Sequence, residues 1–149
     1  MSGGAGRLAA DPPEAECGPR AAPAAPAAPA EAARSFERSD RAPRAARHFV
    51  VDTLQQWGEA ALAYDAAMVV TELATNAVVH ARTGFSVTVS RSADTIRISV
   101  RDGRAARGAD IAALLAPAAG HGLGLVAAVA RHWAAEPLPD GKRVWADIG

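Results

Sequence analysis

Apolar residues recur at helical spacing in two segments of the chain's first half. Phe49, Val50, Thr53, Leu54 and Trp57 recur at helical spacing, which predicts a first helix from about residue 43 to residue 57, and Gly58 follows where a helix C-terminus favours glycine. Ser39 or Asp40 is the candidate N-cap of this helix. The same spacing predicts a second helix from about residue 64 to residue 81.

Beyond Gly84 the apolar positions alternate instead, which is typical of strands with one buried face. Two such strands, joined by a turn at residues 92–94, predict a β-hairpin. A second hairpin is predicted from residues 133–138, through a turn at Asp140-Gly141, to residues 143–148. The alternating positions are Phe85, Val87, Val89, Ile96, Ile98, Val100, Val144, Ala146 and Ile148.

Between the two hairpins we expect a loop, a short helix near residues 111–115 and a third long helix that ends at about His132. The order helix, helix, hairpin, loop, helix, hairpin predicts an α+β fold. Its architecture would be a two-layer sandwich in which helices cover one face of a mostly antiparallel sheet. The length of 149 residues fits a single domain.

The amino-terminal stretch differs in composition from the rest of the chain. Residues 1–34 contain no aromatic residue and repeat Ala-Ala-Pro, so they bury too little apolar surface to offset the entropy of an ordered chain. We therefore expect a disordered tail over residues 1–34 and a folded domain over residues 35–149, with Phe36 in a short edge strand. The alternative is that the tail contains a short partner-binding segment.

Charge and cysteine content narrow the class of protein further. Lys plus Arg and Asp plus Glu both count 16, which gives no electrostatic reason to expect nucleic acid or an anionic membrane as a partner. Cys17 is the only cysteine, so no intrachain disulfide can form. No uninterrupted apolar run reaches the roughly 20 residues that cross a bilayer. These features favour a cytoplasmic protein.

Two polar residues interrupt the apolar second helix. Glu72 and Asn76 lie four residues apart, so they share one helix face and present oxygen atoms to the same volume. Such a pair is a candidate binding site for a hydrated metal ion. Each residue taken alone is more often an exposed polar residue.

Two later segments also suggest chemistry. Asp102-Gly103 ends a predicted strand, which in isolation indicates a turn. The sequence Gly120-His121-Gly122-Leu123-Gly124-Leu125 opens the third helix, where free N–H groups and the helix dipole favour a phosphate group. Leu123 and Leu125 are expected to anchor that helix to the core. The cluster is neither a dinucleotide fingerprint nor a Walker loop.

Taken together, these segments resemble the histidine-kinase-like (GHKL, Bergerat-fold) ATPases. Residues 72–81 resemble the N box, Asp102-Gly103 the first glycine box, and residues 120–125 the second glycine box. The resemblance covers roughly residues 36–149 and includes the closing hairpin at Gly141-Lys142-Arg143. Within this family, the chain resembles the anti-sigma factor serine/threonine kinases most.

The resemblance implies a role for each of these residues. Asn76 would be the side-chain ligand of Mg2+, Glu72 the general base, and Asp102 the acceptor of a hydrogen bond from the adenine amine. The remaining ATP-binding positions would be Gly103, Gly120, His121, Gly122, Leu123 and Gly124. The loop from Arg104 to Ala119 would form a lid over ATP. In the family pattern two glycines follow where this chain has Arg104 and Ala106.

The leading hypothesis is an ATP-binding serine/threonine protein kinase of the anti-sigma type. One partner would be an antagonist protein that it phosphorylates. The resemblance also allows a sigma factor as a second partner. Because family members often dimerise, the resemblance also allows a homodimer. The competing class is a regulatory module of the same fold that binds a partner without phosphoryl transfer. A two-component histidine kinase is disfavoured, since no helix with a phosphoacceptor histidine precedes residue 36.

Overall fold

The computed structural model describes residues 27–104 and 123–149 of the chain. The expectations for residues 1–26, the short helix near residues 111–115 and the first part of the glycine cluster therefore lie outside the described residues. The strands are β1 Ala27–Phe36, β2 Phe85–Ala93, β3 Thr95–Asp102, β4 His132–Leu138 and β5 Gly141–Ile148. The α-helices are α1 Ala42–Gln56, α2 Ala63–Thr75 and α3 Leu123–Val129.

The five strands form one antiparallel sheet in the order β1-β2-β3-β5-β4. Both predicted hairpins are present as β2–β3 and β4–β5. The second hairpin differs in its turn, because Gly141 already pairs with Leu138 as the first residue of β5. The two-layer α+β architecture expected from the sequence is confirmed.

The core lies between the sheet and the helices that pack on one of its faces. All nine alternating strand positions named above are buried. Leu54 of α1 and Leu73 of α2 are among the largest fully buried side chains. Burying a side chain of this size contributes about 1.5–3 kcal/mol. The alternating residues of the strands and the apolar residues at helical spacing therefore pack together in one core.

The ends of α1 are set by local chemistry. The N-cap is Arg41, one or two residues later than expected, and its side chain makes no cap hydrogen bond. Instead, the Ser39 hydroxyl oxygen accepts a hydrogen bond from the Arg41 N–H at 3.2 Å. At the other end Gly58 follows the C-cap with φ +76°, which confirms its predicted role.

The second predicted helix continues beyond α2 as a π-helix, Asn76–Ala81. The predicted helix to about residue 81 is present, but its last six residues are wound as a π-helix and not as an α-helix. π-helical turns are rare, and they occur frequently at functional sites. Arg82, with φ 60°, ends the π-helix. Asn76 is the first residue of this irregular segment.

Strand β1 moves the amino-terminal boundary of the folded part. Residues 27–34 were expected in the tail, but the structure places them in β1, which pairs with β2 along its length. Because this strand carries few large apolar residues, its main interactions are the backbone hydrogen bonds to β2. Phe36 anchors its end by stacking on Phe85 with the ring centroids 5.3 Å apart.

The sheet face opposite the helices is polar. A trough of about 450 Å³ is lined there by Trp145 and by hydroxyl and charged side chains of several strands. Arg97 lies over the Trp145 ring, 3.8 Å from its centroid. Arg143 donates to Glu136 at 2.9 Å, and this hydrogen bond lowers the pKa of Glu136. Arg143 on this face is thus paired with Glu136, and Arg97 is paired with Asp147.

The continuous helical segment Ala60–Ala81 is 22 residues long and apolar enough, by length and composition, to cross a bilayer. The sequence expectation counted only uninterrupted apolar runs and so did not single out this segment. The core helix of a soluble protein passes the same test, and this segment contributes Val69, Val70 and Leu73 to the core.

Candidate functional site

Glu72 and Asn76 occupy successive turns of one helix face. The Asn76 backbone N–H donates to the Glu72 carbonyl oxygen, so the helical spacing between these residues is intact where α2 meets the π-helix. Glu72 is half-buried, whereas Asn76 is only 4% exposed. The structure therefore brings the two residues together as the sequence spacing predicts.

The Asn76 carboxamide is the most unusual polar group of the described chain. Its Nδ2 atom is buried and has no hydrogen-bond partner among the described residues. Leaving such a donor unpaired costs about 1–3 kcal/mol, so an unpaired buried amide requires an explanation. A ligand that enters this volume would supply the missing acceptor.

Asp102 ends β3 on the buried side of the sheet. Its Oδ1 accepts the Arg104 backbone N–H at 2.9 Å, and its Oδ2 forms an ion pair with the Lys142 ammonium. The side chains of Asp102 and Lys142 are 5% and 11% exposed. Both carboxylate oxygens thus already accept one hydrogen bond from the protein itself.

Lys142 is a residue of this site that the sequence analysis did not single out. Alternation on β5 places it on the same face as Val144, Ala146 and Ile148, and the register sets it opposite Asp102. The alternation of buried and exposed positions along the strand could have placed this lysine on the buried face. A lysine there, opposite a buried aspartate of the neighbouring strand, is a detectable signal of a site.

The loop after Asp102 is joined to the end of the π-helix. The Gly103 N–H donates to the Thr83 hydroxyl oxygen at 3.2 Å, and the Arg104 guanidinium donates to the His80 carbonyl oxygen at 3.0 Å. The Arg104 side chain thus contacts the π-helix in this structure. These two bonds bring the Asp102 end of the sheet beside the helix segment that begins at Asn76.

The glycine cluster is described only from Leu123 onward. Leu123 is buried at the start of α3, and α3 packs against α2. Leu125 is 41% exposed, so the expectation that it anchors the helix is wrong; Val126 is buried instead. Gly124 lies at the second position of the helix, with space around it. Gly120, His121 and Gly122 lie outside the described residues.

The residues present fit a magnesium ion bound together with phosphates. Mg2+ prefers oxygen ligands, keeps several waters, and binds through one or two protein oxygens plus substrate phosphates. The Asn76 carboxamide oxygen, with the Glu72 carboxylate one turn away, meets that requirement. Within residues 27–104 and 123–149, no three His, Cys, Asp or Glu side chains form a cluster that could hold a metal ion.

In this α+β domain the described polar groups Asn76, Asp102 and Lys142 lie where the helical segment after α2 meets the adjoining ends of β3 and β5. A family comparison assigns the class of this domain. The sequence model of the histidine kinase-like ATPase domain matches residues 36–148, and the chain belongs to that family. Membership supports the use of ATP by this domain. A search among curated proteins gives no match.

Proposed function

We propose that this protein is an ATP-dependent serine/threonine protein kinase of the anti-sigma factor type. It would transfer the γ-phosphoryl group of ATP to a serine of an antagonist protein and regulate transcription through partner binding. The observation that carries the proposal is the buried Asn76 carboxamide, whose Nδ2 atom has no partner among the described residues, one helical turn after Glu72 in a chain of an ATPase family.

Each residue has a separate part in the proposed reaction. Asn76 would hold Mg2+ through its carboxamide oxygen, and the ion would supply neutralisation of the phosphate charge. Glu72 orients the attacking serine hydroxyl and accepts its proton while the new serine O–P bond forms and the bond to the ADP leaving group breaks. Asp102 accepts a hydrogen bond from the adenine amine. Gly120, His121, Gly122, Leu123 and Gly124 are the proposed phosphate-binding positions.

A second candidate function is a partner-binding regulatory module of the same fold without phosphoryl transfer. The engagement of Asp102 favours it, because each carboxylate oxygen already accepts one hydrogen bond, from Lys142 or from the Arg104 backbone, before any nucleotide binds. Arg104 stands at one of the two positions where the family pattern has glycine. The intact Glu72–Asn76 pair favours the kinase.

A charge-removing variant of Glu72 distinguishes the two functions. We expect Glu72→Gln to bind Mg-ATP with wild-type affinity. Its rate of phosphoryl transfer should fall by about 100-fold or more, because the amide cannot accept the serine proton. The measurements are calorimetric ATP binding and transfer of labelled γ-phosphate to a serine-bearing antagonist protein that binds this chain.

Asp65→Asn is the matched control, since it makes the same change in the first turn of the same helix. It should leave both binding and transfer unchanged. Unaltered transfer by Glu72→Gln would remove Glu72 as the base. Binding of ATP without transfer by the wild-type protein would favour the regulatory module.

A further inference from the structure

Lys142 is the only lysine of the chain, and it lies buried against Asp102. Its position depends on Gly141, because a Cβ atom there would overlap the backbone oxygen of Asp102. The missing side chain lets the start of β5 approach the end of β3 and brings the ammonium to the carboxylate. Both strands thus contribute one charged group to the same end of the sheet's buried face.

A buried ion pair of this kind is not needed to stabilise a fold. The cost of removing two charges from water often exceeds their attraction, and well-packed apolar residues of similar volume can serve equally well. A pair retained at the edge of a candidate binding site therefore calls for a functional explanation.

The pair still has hydrogen-bonding capacity. An ammonium has three donors, and Lys142 uses one of them on Asp102 with no second acceptor among the described residues. A carboxylate can accept about four hydrogen bonds, and Asp102 accepts one from Lys142 and one from the Arg104 backbone. Donors and acceptors thus remain for a further polar ligand.

This remaining capacity matches one edge of adenine. The Asp102–Lys142 pair presents an acceptor and a donor side by side. Adenine presents its amine, a donor, next to ring nitrogen N1, an acceptor. Guanine has the carbonyl oxygen O6 at the position of the amine, which would set an acceptor against the carboxylate.

We propose that Lys142 is a second base-recognition residue, whose ammonium donates to N1 of adenine while Asp102 accepts from the amine. This rests on the base-recognition role proposed above for Asp102, but it does not require phosphoryl transfer. Lys142 would then contribute to the choice of adenine, and the lysine and aspartate would act as one recognition edge.

The test measures binding of Mg-ATP and of Mg-1-deaza-ATP, which lacks N1 but keeps the amine, by calorimetry on the whole chain. We expect wild type to bind ATP about tenfold more tightly than the analogue, because a hydrogen bond from a charged donor is lost. Lys142→Met should bind the two nucleotides equally. Arg143→Met, which changes the next residue on the opposite sheet face, should keep the wild-type ratio.

The outcomes separate this proposal from the proposed function. A tenfold preference that persists in Lys142→Met would overturn it and leave Lys142 as a partner of Asp102 only. No ATP binding by wild type would overturn both proposals. A kinase assay without transfer, together with the expected preference, would leave Lys142 recognition standing and remove only the kinase.

Because Lys142→Met leaves a buried carboxylate without its partner, its fold should be checked by thermal unfolding. If it fails to fold, the double variant Asp102→Asn/Lys142→Met removes both charges and gives the answer. It should bind ATP and 1-deaza-ATP equally, and a retained tenfold preference would contradict the proposal.

Discussion

At the scale of single residues, the close packing at Gly141 predicts how a substitution there changes the free energy of unfolding. The Gly141 backbone touches that of Asp102, so Gly141→Ala should lower the free energy of unfolding by about 2 kcal/mol or more through forced strand separation. Gly124→Ala is the matched control, because a Cβ there meets nothing and α3 favours alanine. Urea unfolding measures both. Equal stability of the two variants would contradict the close approach of β3 and β5.

Residue identities in the site were predictable to different degrees. Glu72, Asn76 and Asp102 stood out because each interrupts or ends an apolar pattern, and the structure places Asn76 and Asp102 in buried positions. Lys142 was missed because its neighbour Gly141 was assigned to a turn. The strand actually begins there, and only the contact with Asp102 explains why.

At the scale of elements, the π-helix Asn76–Ala81 begins at the buried Asn76 and accepts hydrogen bonds from side chains elsewhere in the chain. One of its carbonyl oxygens, that of Val78, accepts a bond from Arg38 Nε at 3.1 Å. Arg38→Met should therefore lower the free energy of unfolding by about 1 kcal/mol and weaken Mg-ATP binding, since the segment loses a support. Arg41→Met, three residues away at the N-cap of α1, is the control and should change neither quantity.

Thermal unfolding and calorimetry on the same samples measure both effects. Identical results for the two arginine variants would show that the bond to Val78 does not support the π-helix. The sequence predicted a helix over this segment but not its widened turns, because helical periodicity alone does not reveal an inserted residue. The bonds from Arg38 and Arg104 come from distant parts of the chain.

At the scale of the whole molecule, the edge strand β1 belongs to the folded domain. A chain shortened to begin at residue 35 should be less stable than one that begins at residue 27 by about 2 kcal/mol or more, because the pairing with β2 is lost. Denaturant unfolding of the two shortened chains beside the full-length protein measures this difference. Equal stability of the two shortened chains would mean that the folded domain begins at residue 35, as the sequence predicted.

Most of the architecture followed from the alternation of apolar residues in β2, β3 and β5, since those strands bury one face. Strand β1 did not follow, because its alanine and proline residues give no such pattern and its stability comes from backbone pairing. The order of the strands in the sheet also required the structure. It is this order that sets β5 beside β3 and thus Lys142 beside Asp102.

The central claim is that the Asn76 face holds Mg-ATP. Calorimetric titration of ATP into wild type, Asn76→Ala and Thr71→Ala, with magnesium and with a chelator, tests it most directly. Wild type and Thr71→Ala should bind ATP more tightly with magnesium, and Asn76→Ala should lose that magnesium-dependent gain, about tenfold or more. Magnesium-dependent binding by Asn76→Ala equal to that of wild type would contradict the account.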